Sequence, residues 1–129
     1  MSSMATARYA ALVEEHFDRP HNAGHFEPGS DVIQAKSGEV ERGVVFQLSA
    51  RVGQGRVEAA RFEAYGCPHC IAAASWLTDR LQGMRAEDLE RWNWREAAQA
   101  LEVPTEKHGR LLALEDAVRG LAEALRKKD

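Results

Sequence analysis

The chain has 129 residues, 44% hydrophobic and 29% charged, a mixture that suits one water-soluble domain with a real core, spanning residues 1–129. Its net charge of −3 gives no basic face for nucleic acid, and no run approaches the ~18 apolar residues of a membrane helix. Met1 to Ala7 lacks the apolar run of a secretory signal, so the two cysteines are expected in a reducing cytoplasm, as redox or metal groups rather than a structural bridge.

Residues 1 to 6 show no pattern and are expected to be flexible. Tyr9, Leu12, Val13, His16 and Phe17 recur at helical spacing, which predicts an amphipathic helix over Thr6 to Asp18. Pro20, Asn22 and Gly24 then stop it, and His21 to Ser30 reads as a loop. Val32 to Ala35 is a short candidate strand. Val44, Phe46, Leu48, Ala50 and Val52 alternate on one face, and Gly53-Gln54-Gly55 follows as a turn. A second alternating run from Arg56 to Tyr65 completes an antiparallel hairpin. Ile71 to Gln82 is alanine-rich and helical, and short helices are expected near Ala86 to Arg91 and Trp94 to Leu101. Leu111, Leu114, Val118, Leu121 and Leu125 trace the stripe of a long last helix, whose Arg126, Lys127 and Lys128 suit a carboxyl end. The predicted class is α+β: a three-stranded, largely antiparallel sheet with helices on one face and a long carboxyl-terminal helix packed there.

Both cysteines lie in Tyr65-Gly66-Cys67-Pro68-His69-Cys70, where a strand gives way to a helix. Pro68 fits a first helical position, because its missing N–H would have no partner there. Cys67 then falls near the helix N-cap and Cys70 about one turn in, beside unpaired N–H groups and the positive dipole end. That setting favours thiolate, the form that attacks electrophiles and binds metals. A free cysteine also serves as a small buried hydrophobe, but Pro-His between two cysteines at a helix start favours chemistry. Cys67 is expected to be the more reactive thiol.

The histidines divide. His16 lies on an apolar helix face, where a hydrogen-bonded core histidine is the simpler reading. His21 and His25 sit in a loop without a cysteine partner and read as solvated. His69, between the cysteines, is placed to tune thiolate pKa. Trp76, Trp92 and Trp94 read as packing anchors, and no Gly-rich phosphate loop opens a helix.

Tyr9 to Gly24 (Y-x-x-x-V-x-E-H-F-x-x-P-x-N-x-G) resembles the opening of the IscU/NifU-type iron–sulfur cluster scaffolds. Ala60 to Cys67 is similar to the strand leading to a cluster cysteine in that family. Ala73-Ala74-Ser75, Lys107-His108 and Leu112 to Ala117 match further family positions in order. The resemblance implies a non-enzymatic scaffold: a cysteine desulfurase supplies sulfur, iron joins it, and the cluster passes to a recipient protein. Three cysteines normally hold the cluster in that family, with a nearby aspartate and histidine. Cys67 matches the middle cysteine and His108 the histidine, but Gly109 stands where the last cysteine follows. The first cysteine should precede a Gly-Asp pair. An ungapped register puts Arg42-Gly43-Val44 there, and a gapped one Ser37-Gly38-Glu39. The chaperone-recognition segment departs too, to Glu102-Val103-Pro104-Thr105-Glu106.

Clusters are held mainly by thiolates, commonly four, and this chain offers Cys67, Cys70 and, by the resemblance, His108. The expectation is that these converge on one accessible site. It could be a mixed Cys/His site, a cluster shared between two protomers of a homo-oligomer, or a zinc or iron site completed by Glu39 or water. One alternative is a thiol–disulfide oxidoreductase, since Cys-Pro-His-Cys is also the tetrapeptide of DsbA-type enzymes. There Cys67 would be the nucleophile and Cys70 the resolving thiol. Another is a degenerate relative that keeps the fold and binds partners without metal.

Overall fold

The computed structural model describes residues 9–128. The residues expected to be flexible, and the start of the predicted first helix, lie outside that range. Helix α1 spans Ala11–Asp18. Strand β1 (Val32–Glu39) then leads through a 3-10 turn at Val40–Arg42 into β2 (Val44–Gly53) and β3 (Arg56–Tyr65). Helix α2 (Pro68–Leu81) is followed by two short helices, α3 (Ala86–Arg91) and α4 (Trp94–Ala100). A 3-10 turn at Thr105–Lys107 opens into the long α5 (His108–Lys128).

The sheet has three strands in the order β1-β2-β3, both pairings antiparallel, as the α+β reading predicts. The β2–β3 hairpin turns through Gln54 (φ 56°) and Gly55 (φ 73°), both left-handed, the combination that matches the twist of two joined strands. Strand β1 runs four residues beyond the predicted Ala35, its Glu39 facing Val44 of β2. Its outer half, Lys36-Ser37-Gly38-Glu39, has no apolar alternation. The neighbouring strand supplies the hydrogen bonds, and polar residues suit an edge. Gly38 is required there: a Cβ would meet the Val44 carbonyl oxygen at 2.3 Å.

Val44, Phe46, Leu48, Ala50 and Val52 all point into the core, as their alternation predicts. Helix α5 covers β1 and β2 with its buried stripe of Leu111, Leu114, Ala117, Val118, Leu121, Ala122 and Leu125. Helix α2 packs on β3 and carries α1 on its other side. The opposite face of the sheet is more open. There Phe26, from the loop after α1, is buried with its N–H on Ser49 Oγ and the guanidiniums of Arg51 and Arg61 over its ring. The same loop runs beside β3 in a short parallel bridge, Ala23 with Phe62. This arrangement sets two helix beginnings, those of α2 and α5, against each other near the end of β3.

Candidate functional site

The β3–α2 junction builds the site. Cys67 is the N-cap of α2, with extended backbone (φ −79°, ψ 171°), and Pro68 takes the first helical position. The Cys67 carbonyl accepts the N–H groups of Cys70 (2.9 Å) and Ile71 (3.1 Å), which closes the first turn. Gly66 lets the chain pass close behind the pair: a Cβ there would lie 2.9 Å from Cys70 Cβ. The two sulfurs are thereby held 3.6 Å apart, Cys67 half-buried and Cys70 buried.

This geometry splits the thiols. Cys67 is pushed down to about 4, chiefly by the hydrogen bond from the Cys70 thiol. Burial opposes the shift, while the Cys70 and His69 N–H groups and the Arg110 guanidinium add to it. Cys70 is pushed up by the same hydrogen bond, by burial and by the charge on Cys67. The pair thus shares one proton at neutral pH, with the charge on Cys67. Arg110, in the first turn of α5, is raised above its ordinary value by hydrogen bonding to Cys67. His69 is buried, 4.9 Å from the Tyr9 ring, and burial and the nearby Lys107 charge hold it below the usual imidazole range. It is the His69 backbone N–H that helps to lower Cys67, while the ring Nδ1 is buried without a hydrogen-bond partner.

His108 and Glu39 stand elsewhere. The His108 ring donates its Nε2–H to the Val103 carbonyl at 2.8 Å and lies 5.0 Å from the Trp94 ring, so Nδ1 holds its remaining lone pair. Glu39 pairs with Arg42 at 3.0 Å on the surface. The expected convergence of Cys67, Cys70 and His108 is thus met by the two thiols and not by the imidazole. Among the described residues, the three side chains whose possible ligand atoms lie within 4.8 Å of one another are Glu15, His16 and His21.

That second group also fastens α1 to α2. His16 is buried with Nδ1 on Ser75 Oγ (2.7 Å), and the His21 N–H donates to the same oxygen (2.7 Å). The His21 ring bonds Asp79 at 2.6 Å. His16 is the satisfied core histidine its position predicts. His21 keeps a side chain 40% exposed, as a solvated loop residue should, and also pairs with an aspartate 58 residues away, a contact its loop sequence gives no sign of.

A cleft of about 520 Å³ opens beside α5, lined by Gly38, Glu39, Arg42, Glu106, Gly109 and Arg110 among others. Both registers considered for the missing first cysteine therefore reach one cleft, with Gly109 on its wall. A Cβ added at Gly109 meets nothing within 4 Å. Arg110 is the residue sequence reading missed. Its signal is Lys107 and Arg110 at the beginning of a helix that has no acidic residue in its first turn, a place where the dipole disfavours cations unless an anion is held there.

A three-stranded antiparallel sheet covered by helices in this order is a fold found in solved structures. A NifU-like amino-terminal protein from Brucella abortus superposes with a TM-score of 0.71, covering 93% of this chain and 95% of that one at 15% identity. The model of the NifU-like N terminal domain matches residues 8–129, and the chain belongs to that family. It is 32% identical over 114 residues to the Escherichia coli K12 iron–sulfur cluster assembly scaffold protein IscU, covering 86% of this chain and 88% of that one. The Plasmodium falciparum iron–sulfur cluster assembly protein IscU is 30% identical over 122 residues, with 93% of this chain and 75% of that one covered.

Proposed function

We propose that the chain is a cytoplasmic, single-domain iron–sulfur cluster assembly scaffold that works with two thiols, Cys67 receiving sulfur and iron and Cys70 backing it. The observation that carries this reading is the Cys67–Cys70 pair, 3.6 Å apart at the N-cap of α2 with Cys67 pushed down to about 4, and the resemblance assigns Cys67 to the family's middle cysteine. Family membership and the kinship to IscU proteins support the scaffold role. A cysteine desulfurase is the fitting sulfur donor and cluster-recipient proteins the fitting acceptors.

The cargo, a cluster or a zinc or iron ion, needs more donors than one chain has in place. Cys67 and Cys70 fit the thiolate preference of such cargo, whereas His108 is committed to Val103 and Glu39 to Arg42. Two protomers would together offer four thiolates, the common number for a cluster, which makes a shared cluster the better fit. For a lone metal ion, His108 Nδ1 or Glu39 would have to turn toward the thiols.

The test is anaerobic reconstitution with ferrous iron and sulfide, read by visible absorption, bound metal and molecular mass. The parent should gain cluster absorption on a doubled mass, and Cys67→Ser should gain neither. A parent that holds neither cluster nor metal ends the reading, and the metal-free partner-binding relative replaces it. The thiol–disulfide alternative keeps one favourable observation, the 3.6 Å pair with its split ionisation. The sheet is antiparallel throughout its strand pairings, unlike the parallel crossover of a thioredoxin-type fold, so the fold gives that reading no support.

A further inference from the structure

We infer that Cys70 is a resolving thiol for sulfur delivered to Cys67, so that the pair converts a bound sulfane sulfur into free sulfide. This deepens the reading of Cys67 as a sulfur acceptor and rests on it. The family pattern has no use for a second cysteine one turn into this helix, yet the fold places Cys70 Sγ 3.6 Å from Cys67 Sγ. Closing that gap to the ~2.05 Å of a disulfide needs a small side-chain movement, because both residues sit on one rigid helix turn.

The two sulfurs differ in access. Cys70 is 1% exposed, whereas Cys67 is only half-buried and feels the charge of Arg110 in the first turn of α5. An incoming donor therefore reaches Cys67, and Cys70 stands behind it on the buried side. A sulfur attached to Cys67 leaves on the side away from Cys70, where the positive charge of Arg110 favours an anionic sulfur. Gly66 leaves Cys70 its room, since a Cβ there would approach Cys70 Sγ to 3.1 Å.

The step balances. With Cys67 carrying a persulfide, Cys70 sulfur attacks Cys67 Sγ, the Sγ–Sγ bond forms and the bond from Sγ to the terminal sulfur breaks. The electron pair and the Cys70 proton go with the terminal sulfur, which leaves as hydrogen sulfide. The sulfane sulfur is reduced by two electrons and the cysteine pair is oxidised by two, to a disulfide. A dithiol reductant resets the pair by exchange.

The experiment uses reduced, metal-free full chain under anaerobic conditions and one equivalent of glutathione persulfide, with released sulfide and intact mass as readouts. The parent should release sulfide and lose two hydrogens. Cys70→Ser and Cys70→Ala should keep one added sulfur and release sulfide about tenfold more slowly, as expected when the resolving thiol of an exchange pair is removed. Circular dichroism selects the variant that stays folded. A parent that keeps the added sulfur as stably as the Cys70 variants overturns the resolving role and leaves the acceptor reading standing. Glutathionylation of the Cys70 variants in place of sulfur addition also overturns it. No sulfur on any form, with Cys67→Ser indistinguishable from the parent, overturns both.

Discussion

At the residue scale the behaviour of the site follows from how one proton is divided between two sulfurs. The Cys67 thiolate is present well below neutral pH, so its alkylation by iodoacetamide should be flat across the neutral range and fall only as pH drops through about 4. Cys67→Ser should remove this fast phase, and Cys70→Ala should raise the inflection because the leading hydrogen bond is lost. Arg110→Gln should also move the inflection upward, by less, and with chain stability hardly changed. His16 gives a second pH signature. Burial holds it below its ordinary 6.5, so the unfolded chain takes up the proton first. Its stabilising share is complete above 6.5 and is lost as pH falls toward the folded value. Urea melts between pH 7 and 5 should show this loss, and His16→Gln should reduce its slope. Cys67 was legible because Pro68 and the strand before it mark an N-cap. Arg110 and the turned ring of His108 were not, because each depends on which neighbour α5 meets across the fold.

At the element scale, elements with a strong period were legible and those defined by their neighbours were not. The hairpin and the α5 stripe follow from alternation at 2 and at 3.6 residues, and both stand where that pattern puts them. The outer half of β1 has no such signal and exists because β2 offers it a ladder. Helix α5 lies so close to β1 that Gly120 has no room for a methyl group: its Cβ would sit 2.8 Å from Ala35 Cβ. Alanine ordinarily gains about 1 kcal/mol over glycine inside a helix. Here overpacking, typically ~1–3 kcal/mol, should outweigh the gain, so Gly120→Ala should lower the urea midpoint. Ala35→Gly in the same chain should recover part of the loss. Leu114→Ala, a deletion beneath the same helix, should cost ~2–5 kcal/mol by chemical denaturation.

At the scale of the whole molecule, the fold is that of the NifU-like N terminal domain family, while the sequence lacks two of the three cysteines that the resemblance implies. The positions to which the resemblance assigns the two absent cysteines, Arg42 or the gapped alternative Ser37, and Gly109, all line one cleft. The core does not depend on them, since Gly109 and Arg42 are exposed and the buried cluster lies on the other side of α5. This separation of stability from chemistry makes the missing ligand restorable. Gly109→Cys adds a side chain where a Cβ meets no atom within 4 Å, one residue before the arginine that already reaches Cys67. It should leave the urea midpoint close to that of the parent. In a competitive chelator titration it should tighten zinc by about tenfold or more, the equivalent of ~1.4 kcal/mol. The gain should vanish when Cys67→Ser is added, because the new thiol would then lack its partner. It should also fall as pH drops, because each thiol must lose a proton to bind. Tightening that persists without Cys67 would mean that the added cysteine binds metal elsewhere, and that position 109 does not share a site with Cys67.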